Sequence, residues 1–272
     1  MGMYAGTADH PFLRGLIGPE VDHLDTYSLV RRTDRYSKDD RQAVVAQVRQ
    51  RAQVAVEVRE EQLLRAARLY LVLCDLAAER HWKAVNVKCQ YELSQEYGMI
   101  ACLSLSLLSD DGLVCGCEGD VLTGVTMLML HYLSGETVAY GDLLDRHDGL
   151  VMLSSCGMAP FSLADERGMR VCDIGYPGFS GLINSLVLRP GPVTFARLAE
   201  GRGDYHLNYA LGEGLARQLR RPHPRPLSVR LEGDPERLLA SLASRHFAIA
   251  YGNLALDLET LAHLLGVGTT RA

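Results

Sequence analysis

Residues 114–136 read VCGCEGDVLTGVTMLMLHYLSGE. An apolar run carrying two cysteines ends in two carboxylates, Glu118 and Asp120, and passes at once into a segment that is apolar on nearly every side. Charge placed against a buried helix is costly unless a partner offsets it. The two acids are therefore either structural caps or holders of a cation or a proton. Asp120 stands where the N-cap of the following helix belongs, and on spacing alone the cap is the better-supported reading. Cys115 and Cys117 point to one face of a strand; with no second pair at ligand spacing, they read as small buried side chains rather than a soft-metal site.

Upstream, helix and strand patterns alternate. Ser37 with Asp40 marks a helix start, and helical patterns run through residues 39–53 and, more strongly, 60–81. KAVNVKC (83–89) reads as a buried strand, residues 98–108 as a helix and 112–117 as a strand. A short strand is expected around EVDHLD (20–25). This order predicts an α/β layer with a parallel sheet over residues 1–109. Downstream, Gly and Pro become dense, and short strand candidates follow at 149–157, 169–176, 193–201, 204–214 and 227–233. The chain closes with a helix at 234–244, a strand at 246–252 and a helix at 254–266. Residues 110–272 are thus expected to form a mainly antiparallel, barrel-like β domain with helices.

Composition narrows the function classes. The chain has 272 residues, 47% of them apolar, so it can bury a large core. A formal charge of −5, with no basic stripe interleaved with aromatics, gives no case for nucleic acid. The cluster RQLRRPHPRP (217–226) reads as an exposed loop. No apolar run reaches the length of a membrane span, and the first residues lack the pattern of a signal peptide. Seven cysteines, an odd number lying mostly in apolar runs, read as reduced thiols of a cytoplasmic protein.

Three places join acid or imidazole groups to strand ends, where sites of α/β folds collect. Glu92 follows the strand ending at Cys89, Asp120 follows the strand ending at Cys117, and His246 opens the strand HFAIAYG. Two carboxylates and an imidazole suit a divalent ion such as Mn²⁺. Equally, Glu92 reads as a solvated loop acid and His246 as a satisfied core histidine.

VKCQYE (87–92), CEGDVLTGVTMLML (117–130), SSCGMAPFSLAD (154–165) and RHFAIAYGNLALDLETLAHLLGV (245–267), in that order, resemble the L-fucose isomerase family, which is similar in fold to L-arabinose isomerase. The resemblance implies a metal-dependent aldose–ketose isomerase acting on a monosaccharide through an enediol. It implies Glu92, Asp120 and His246 as ligands of Mn²⁺ or a similar ion, and Glu92 and Asp120 as proton shuttles. Glu118 would support the ligands from behind. A homo-oligomer is implied too, and the apolar excess of the segments at 98–108 and 121–133 points the same way. Relatives carry His where Ser155 stands and Trp-Pro-like residues where Gln90 and Tyr91 stand. Family enzymes also have a further N-terminal domain, so the alternative expectation is a non-catalytic sugar-binding or structural subunit that needs a separate N-terminal partner chain.

Overall fold

The computed structural model describes residues 8–147, 149–201, 203–216 and 227–272. The basic cluster at 217–226 and the first seven residues lie outside the described residues. Helices combine with parallel and antiparallel sheet, an arrangement compatible with an α/β fold.

The N-terminal part is helical: α1 (His10–Leu16), α2 (Thr26–Arg32), α3 (Lys38–Arg51) and α4 (Glu60–Arg80). The expected strand at 20–25 is not there. The segment is an extended connection between α1 and α2, and its acids serve other ends: Asp25 caps α2, and Asp22 takes hydrogen bonds from Arg80 and Trp82. Ser37 and Asp40 form the expected capping box at the start of α3. A two-residue strand, β1 (Gln53–Val54), precedes α4.

Strands β2 (Ala84–Val87) and β3 (Val114–Cys117) pair in parallel, with α5 (Cys102–Asp110) between them in the chain. The helix α6 (Val121–Ser134) follows β3 directly. Asn86 on β2 projects between β3 and α6. A Cβ on Gly116 would meet its Oδ1 at 1.8 Å, and a Cβ on Gly124 its Nδ2 at 2.1 Å. Gly116 and Gly124 thus let α6 lie close against the strand pair.

The rest of the chain is mostly strand. It comprises β4 (Ala139–His147), β5 (Leu150–Ser154), β6 (Ala164–Asp173), β7 (Leu182–Leu188), β8 (Gly191–Glu200), β9 (Tyr205–Ala216), β10 (Leu227–Leu231), β11 (His246–Tyr251) and β12 (Gly268–Arg271), with helices α7 (Pro235–Ala240) and α8 (Ala255–Leu265). The order β10-β5-β4-β11-β8-β9 returns on itself, because β10 also pairs with β9. All pairings in this ring are antiparallel, and β12 adds to β9 in parallel. β6 and β7 form a separate sheet with β1, which pairs with β6 in parallel across a long stretch of chain.

Alternation along the ring strands builds two cores. Phe195 and Phe247 meet edge to face inside the ring, with Val151, Leu153 and Val229. Ala196, Leu198, Ala248 and Ala250 point the other way, into the core shared with α6. This explains why α6 is apolar nearly all round: it lies between the parallel pair and the ring, packed on β2, β3, β8 and β11. α5 is similarly enclosed, buried from Cys102 to Ser109. Its serines bond to carbonyls, Ser104 to Ala66 and Ser106 to Cys102. The apolar excess expected to drive oligomer formation is therefore taken up inside the chain, and a homo-oligomer rests on the resemblance alone. Among the described residues, no helix is long and apolar enough to cross a membrane.

The Asn86 wedge makes a testable demand. Gly116→Ala should destabilise the fold by about 1–3 kcal/mol, the usual cost of overpacking. Adding Asn86→Ala should recover much of that loss in urea unfolding, because it removes the atom that clashes.

Candidate active site

The turn from β3 to α6 is built by two left-handed residues, Glu118 (φ +63°) and Gly119 (φ +69°). Left-handed backbone is uncommon for a residue with a side chain, and such strain persists where surrounding structure holds it. Here it aims the Glu118 carboxylate inward, with the side chain 5% exposed. Asp120 caps α6 through Oδ1, which accepts from the Thr123 N–H at 2.9 Å.

Asp120 does more than cap. Its Oδ2 accepts from His246 Nδ1 at 2.7 Å and from the Arg197 guanidinium, which also bonds Thr123 Oγ1. Arg197 comes from β8 and His246 from the first position of β11, so one carboxylate ties the turn to two strands of the ring. Period-two alternation puts His246 on the same face as Ala248 and Ala250, toward α6.

Asp142 stands directly opposite His246 in the β4–β11 ladder. Its Oδ1 lies 3.5 Å from His246 Nε2 and accepts from Tyr140 Oη at 2.9 Å. Glu118 Oε2 lies 3.2 Å from the same Nε2. That oxygen is buried and close enough for attraction, but it is not aligned for a hydrogen bond and has none among the described residues. Gln90 Nε2 donates to the other oxygen of Glu118 at 2.9 Å. Three carboxylates thus face two basic groups, all nearly free of solvent.

Electrostatics divides the acids. Burial pushes Asp120 up, but the hydrogen bond from His246 and the charge of Arg197 outweigh it and hold the carboxyl below its usual range. Asp142 goes the other way: burial raises it to about 6, the neighbouring Glu118 adds to this, and His246 and Tyr140 oppose it. Burial alone would lower His246, yet the hydrogen bond to Asp120 and the closeness of Glu118 and Asp142 raise it to about 9. In this arrangement the ring is an imidazolium with a carboxylate at each nitrogen.

Of the three residues expected from sequence, Asp120 and His246 meet. Glu92 begins a π-helical turn (Glu92–Glu96) after β2, and its contact is an ion pair with Lys88 at 3.5 Å. The Glu92 side chain is 53% exposed, and its carboxyl is lowered by its own backbone N–H and by Lys88. Sequence reasoning missed Asp142, Tyr140 and Arg197. The available signal is an acid inside the apolar run VAYGDLL (138–144), which lies in β4 and outside the strand candidates of the sequence pattern.

Metal capacity can be tested on this geometry. As they stand, no three His, Cys, Asp or Glu side chains among the described residues are arranged to hold an ion; here the acids are closed on the imidazolium instead. Two of the spacings that a shared ion would need, both at His246 Nε2, can be compared with those around a bound ion. Neighbouring ligand atoms on one divalent cation, each at roughly 2.1 Å, lie about 3.0–3.4 Å apart. The separations of 3.2 and 3.5 Å at Nε2 are close to that span. The unbonded Glu118 Oε2 is the kind of atom an ion would satisfy. Asp120 has no comparable freedom, since both of its oxygens are engaged.

No protein-family model matches the chain. Three curated proteins are similar to it, each named sulfoquinovose isomerase. Those of Priestia aryabhattai and Priestia megaterium are each 26% identical over 194 residues, covering 68% of this chain and 43% of theirs. That of Alkalicoccus urumqiensis is 24% identical over 217 residues, covering 79% of this chain and 49% of its own. The chain spans about half the length of the curated relatives it matches.

Asp120→Asn keeps a capping side chain but removes the charge that His246 and Arg197 share. In metal-free protein, His246 should then titrate closer to its usual 6.5, read by NMR of the imidazole protons. The sign follows from the raised pKa: the wild-type pair stabilises the fold fully below about 6.5 and loses that contribution as pH rises through about 9. The alkaline loss of stability should shrink in the variant.

Proposed function

We propose that the chain carries the catalytic site of an aldose–ketose sugar isomerase. The single observation behind this reading is the buried meeting of Glu118, Asp142 and His246 Nε2, backed by Asp120 and Arg197. The similarity to proteins named sulfoquinovose isomerase supports it, and so does the resemblance to the L-fucose isomerase family.

Aldose–ketose exchange moves a proton between adjacent carbons and another between their oxygens, through an enediol. Such steps favour groups that titrate near the working pH. Asp142, which faces His246 Nε2 and is bonded to Tyr140, fits that task better than Asp120, whose two oxygens are engaged by Thr123, His246 and Arg197. Asp120 is assigned to orienting His246 through Nδ1, so that Nε2 faces Glu118 and Asp142. Gln90 fixes the turn of the Glu118 carboxylate.

A divalent ion, with Mn²⁺ the first choice, would be held by His246 Nε2, Glu118 and Asp142. When bound, such an ion supplies Lewis-acid stabilisation to the sugar oxygens. This set revises the expected one by moving Asp120 behind the ligands. Glu92, expected as ligand and base on the resemblance, is assigned no step in this reading, since its side chain is 53% exposed and paired with Lys88.

A homo-oligomer is a proposal on the same resemblance, and a cytoplasmic location is one on the seven cysteines read as reduced thiols. A second reading has one observation in its favour, the span of about half the relatives' length. On that reading this segment binds a sugar or braces the site and turns substrate over only with a further domain.

The test is conversion of an aldose in D₂O with Mn²⁺, followed by NMR, with sulfoquinovose tried first and L-fucose and L-arabinose after it. Wild type should form the ketose with deuterium at C1. Glu118→Gln and His246→Gln should each lose roughly 10²–10⁴-fold in rate, while Glu92→Gln stays near wild type. Sugar binding without turnover would favour the second reading, and a severe loss in Glu92→Gln alone would restore the first ligand set.

A further inference from the structure

Four of the seven cysteines collect beside the turn that carries Glu118. Cys156 Sγ lies 3.8 Å from Cys117 Sγ and 4.0 Å from Cys102 Sγ, and Cys89 adjoins Cys102. They come from four places in the chain: the end of β3, the start of α5, the loop after β5 and the loop after β2. Cys117, Cys102 and Cys89 are buried, and Cys156 is partly exposed. The proposed reaction uses none of them.

We propose that Cys156 and Cys117 form a disulfide-capable pair that responds to peroxide and governs the position of Glu118. Of the four, Cys156 is the residue that is not fully buried, and it is taken as the thiol that meets the oxidant. Its thiolate attacks hydrogen peroxide: an S–O bond forms, the O–O bond breaks and hydroxide leaves. Cys117 sulfur then attacks the sulfenic sulfur, an S–S bond forms and the S–O bond breaks. The departing hydroxide takes the Cys117 proton and leaves as water. Two thiols give up two electrons and one peroxide becomes two waters.

Geometry selects Cys117 over Cys102 as the partner and predicts the consequence. The sulfurs must close from 3.8 Å to about 2.0 Å. Cys156 has little room to move, because the next residue, Gly157, is pinned to β7. A Cβ there would lie 2.2 Å from Ile183, and its carbonyl accepts from the Asn184 N–H. Cys117 is the last residue of β3 and leads into the left-handed turn at Glu118. Closing the bond therefore pulls on that turn and changes the position of Glu118 relative to His246. Cys102 instead sits in the first turn of an enclosed helix, which resists the same motion.

The experiment treats the full chain with hydrogen peroxide near pH 8.5, where an ordinary thiol is about half ionised, then reads intact mass and a non-reducing peptide map. The expected result is a loss of two hydrogens, a Cys117–Cys156 link, and reversal by dithiothreitol. Cys156→Ser and Cys117→Ser should each abolish the link, and Cys102→Ser should leave it. Circular dichroism on each variant checks folding, and the wild-type peptide map stands even where a variant fails. A link through Cys102, sulfinic acid on Cys156 without a link, or no reaction would overturn the proposal. The effect on turnover rests on the proposed function: oxidised protein should lose isomerase activity and regain it on reduction. A link formed in protein that is inactive even when reduced would sink the isomerase reading and leave the redox pair standing. A link with unchanged activity would overturn the coupling to Glu118.

Discussion

One buried carboxylate holds this structure's parts in register. Asp120 caps α6 with one oxygen and accepts from Arg197 and His246 with the other. A fully buried anion is tolerable only with its hydrogen bonds and counter-charge in place, and removing one partner of such a pair typically costs about 3–5 kcal/mol. The cost fixes more than a helix end. Because its partners lie on β8 and β11, Asp120 couples the parallel strand pair to the closed ring. The imidazole is turned so that Nε2 faces the other two acids.

The ring supplies the rigidity this arrangement needs. His246 and Asp142 are cross-strand neighbours in a ladder whose two faces are both buried, so a shift of one residue would put the two groups on opposite faces. Leu198 donates its N–H to Thr126 Oγ1 at 2.9 Å, a second tie between β8 and α6 that does not involve charge. The strained turn at Glu118 is held between these anchors, with Gln90 bonded to its carboxylate from the β2 side.

Much of this was legible in the sequence where local rules operate. The capping box at Ser37, the amphipathic pattern of α4 and the cap at Asp120 follow from short-range chemistry, and the structure contains each of them. The question raised by Glu118 and Asp120, cap or charge holder, has the answer that Asp120 is both a cap and a partner of two basic groups. What was not legible depends on pairing across the chain. Asp142 owes its place to the register of β4 against β11, and Arg197 owes its place to β8 lying beside β11; neither can be read from spacing. The strand expected at 20–25 failed because its acids answer to Arg80 and to the start of α2, outside the local pattern. The apolar faces of α5 and α6 looked surplus only because the sheets that cover them are distant in sequence.

The account centres on a division of labour: Glu118, Asp142 and His246 Nε2 form the working face, and Asp120 stands behind it. The most direct measurement is anomalous diffraction from crystals of the reduced protein soaked in Mn²⁺. The account predicts one strong peak bounded by His246 Nε2, Glu118 and Asp142, with Asp120 still bonded to Arg197 and outside the ligands. A peak held by Asp120 and Glu92, or no peak beside His246 in fully soaked crystals, would contradict it.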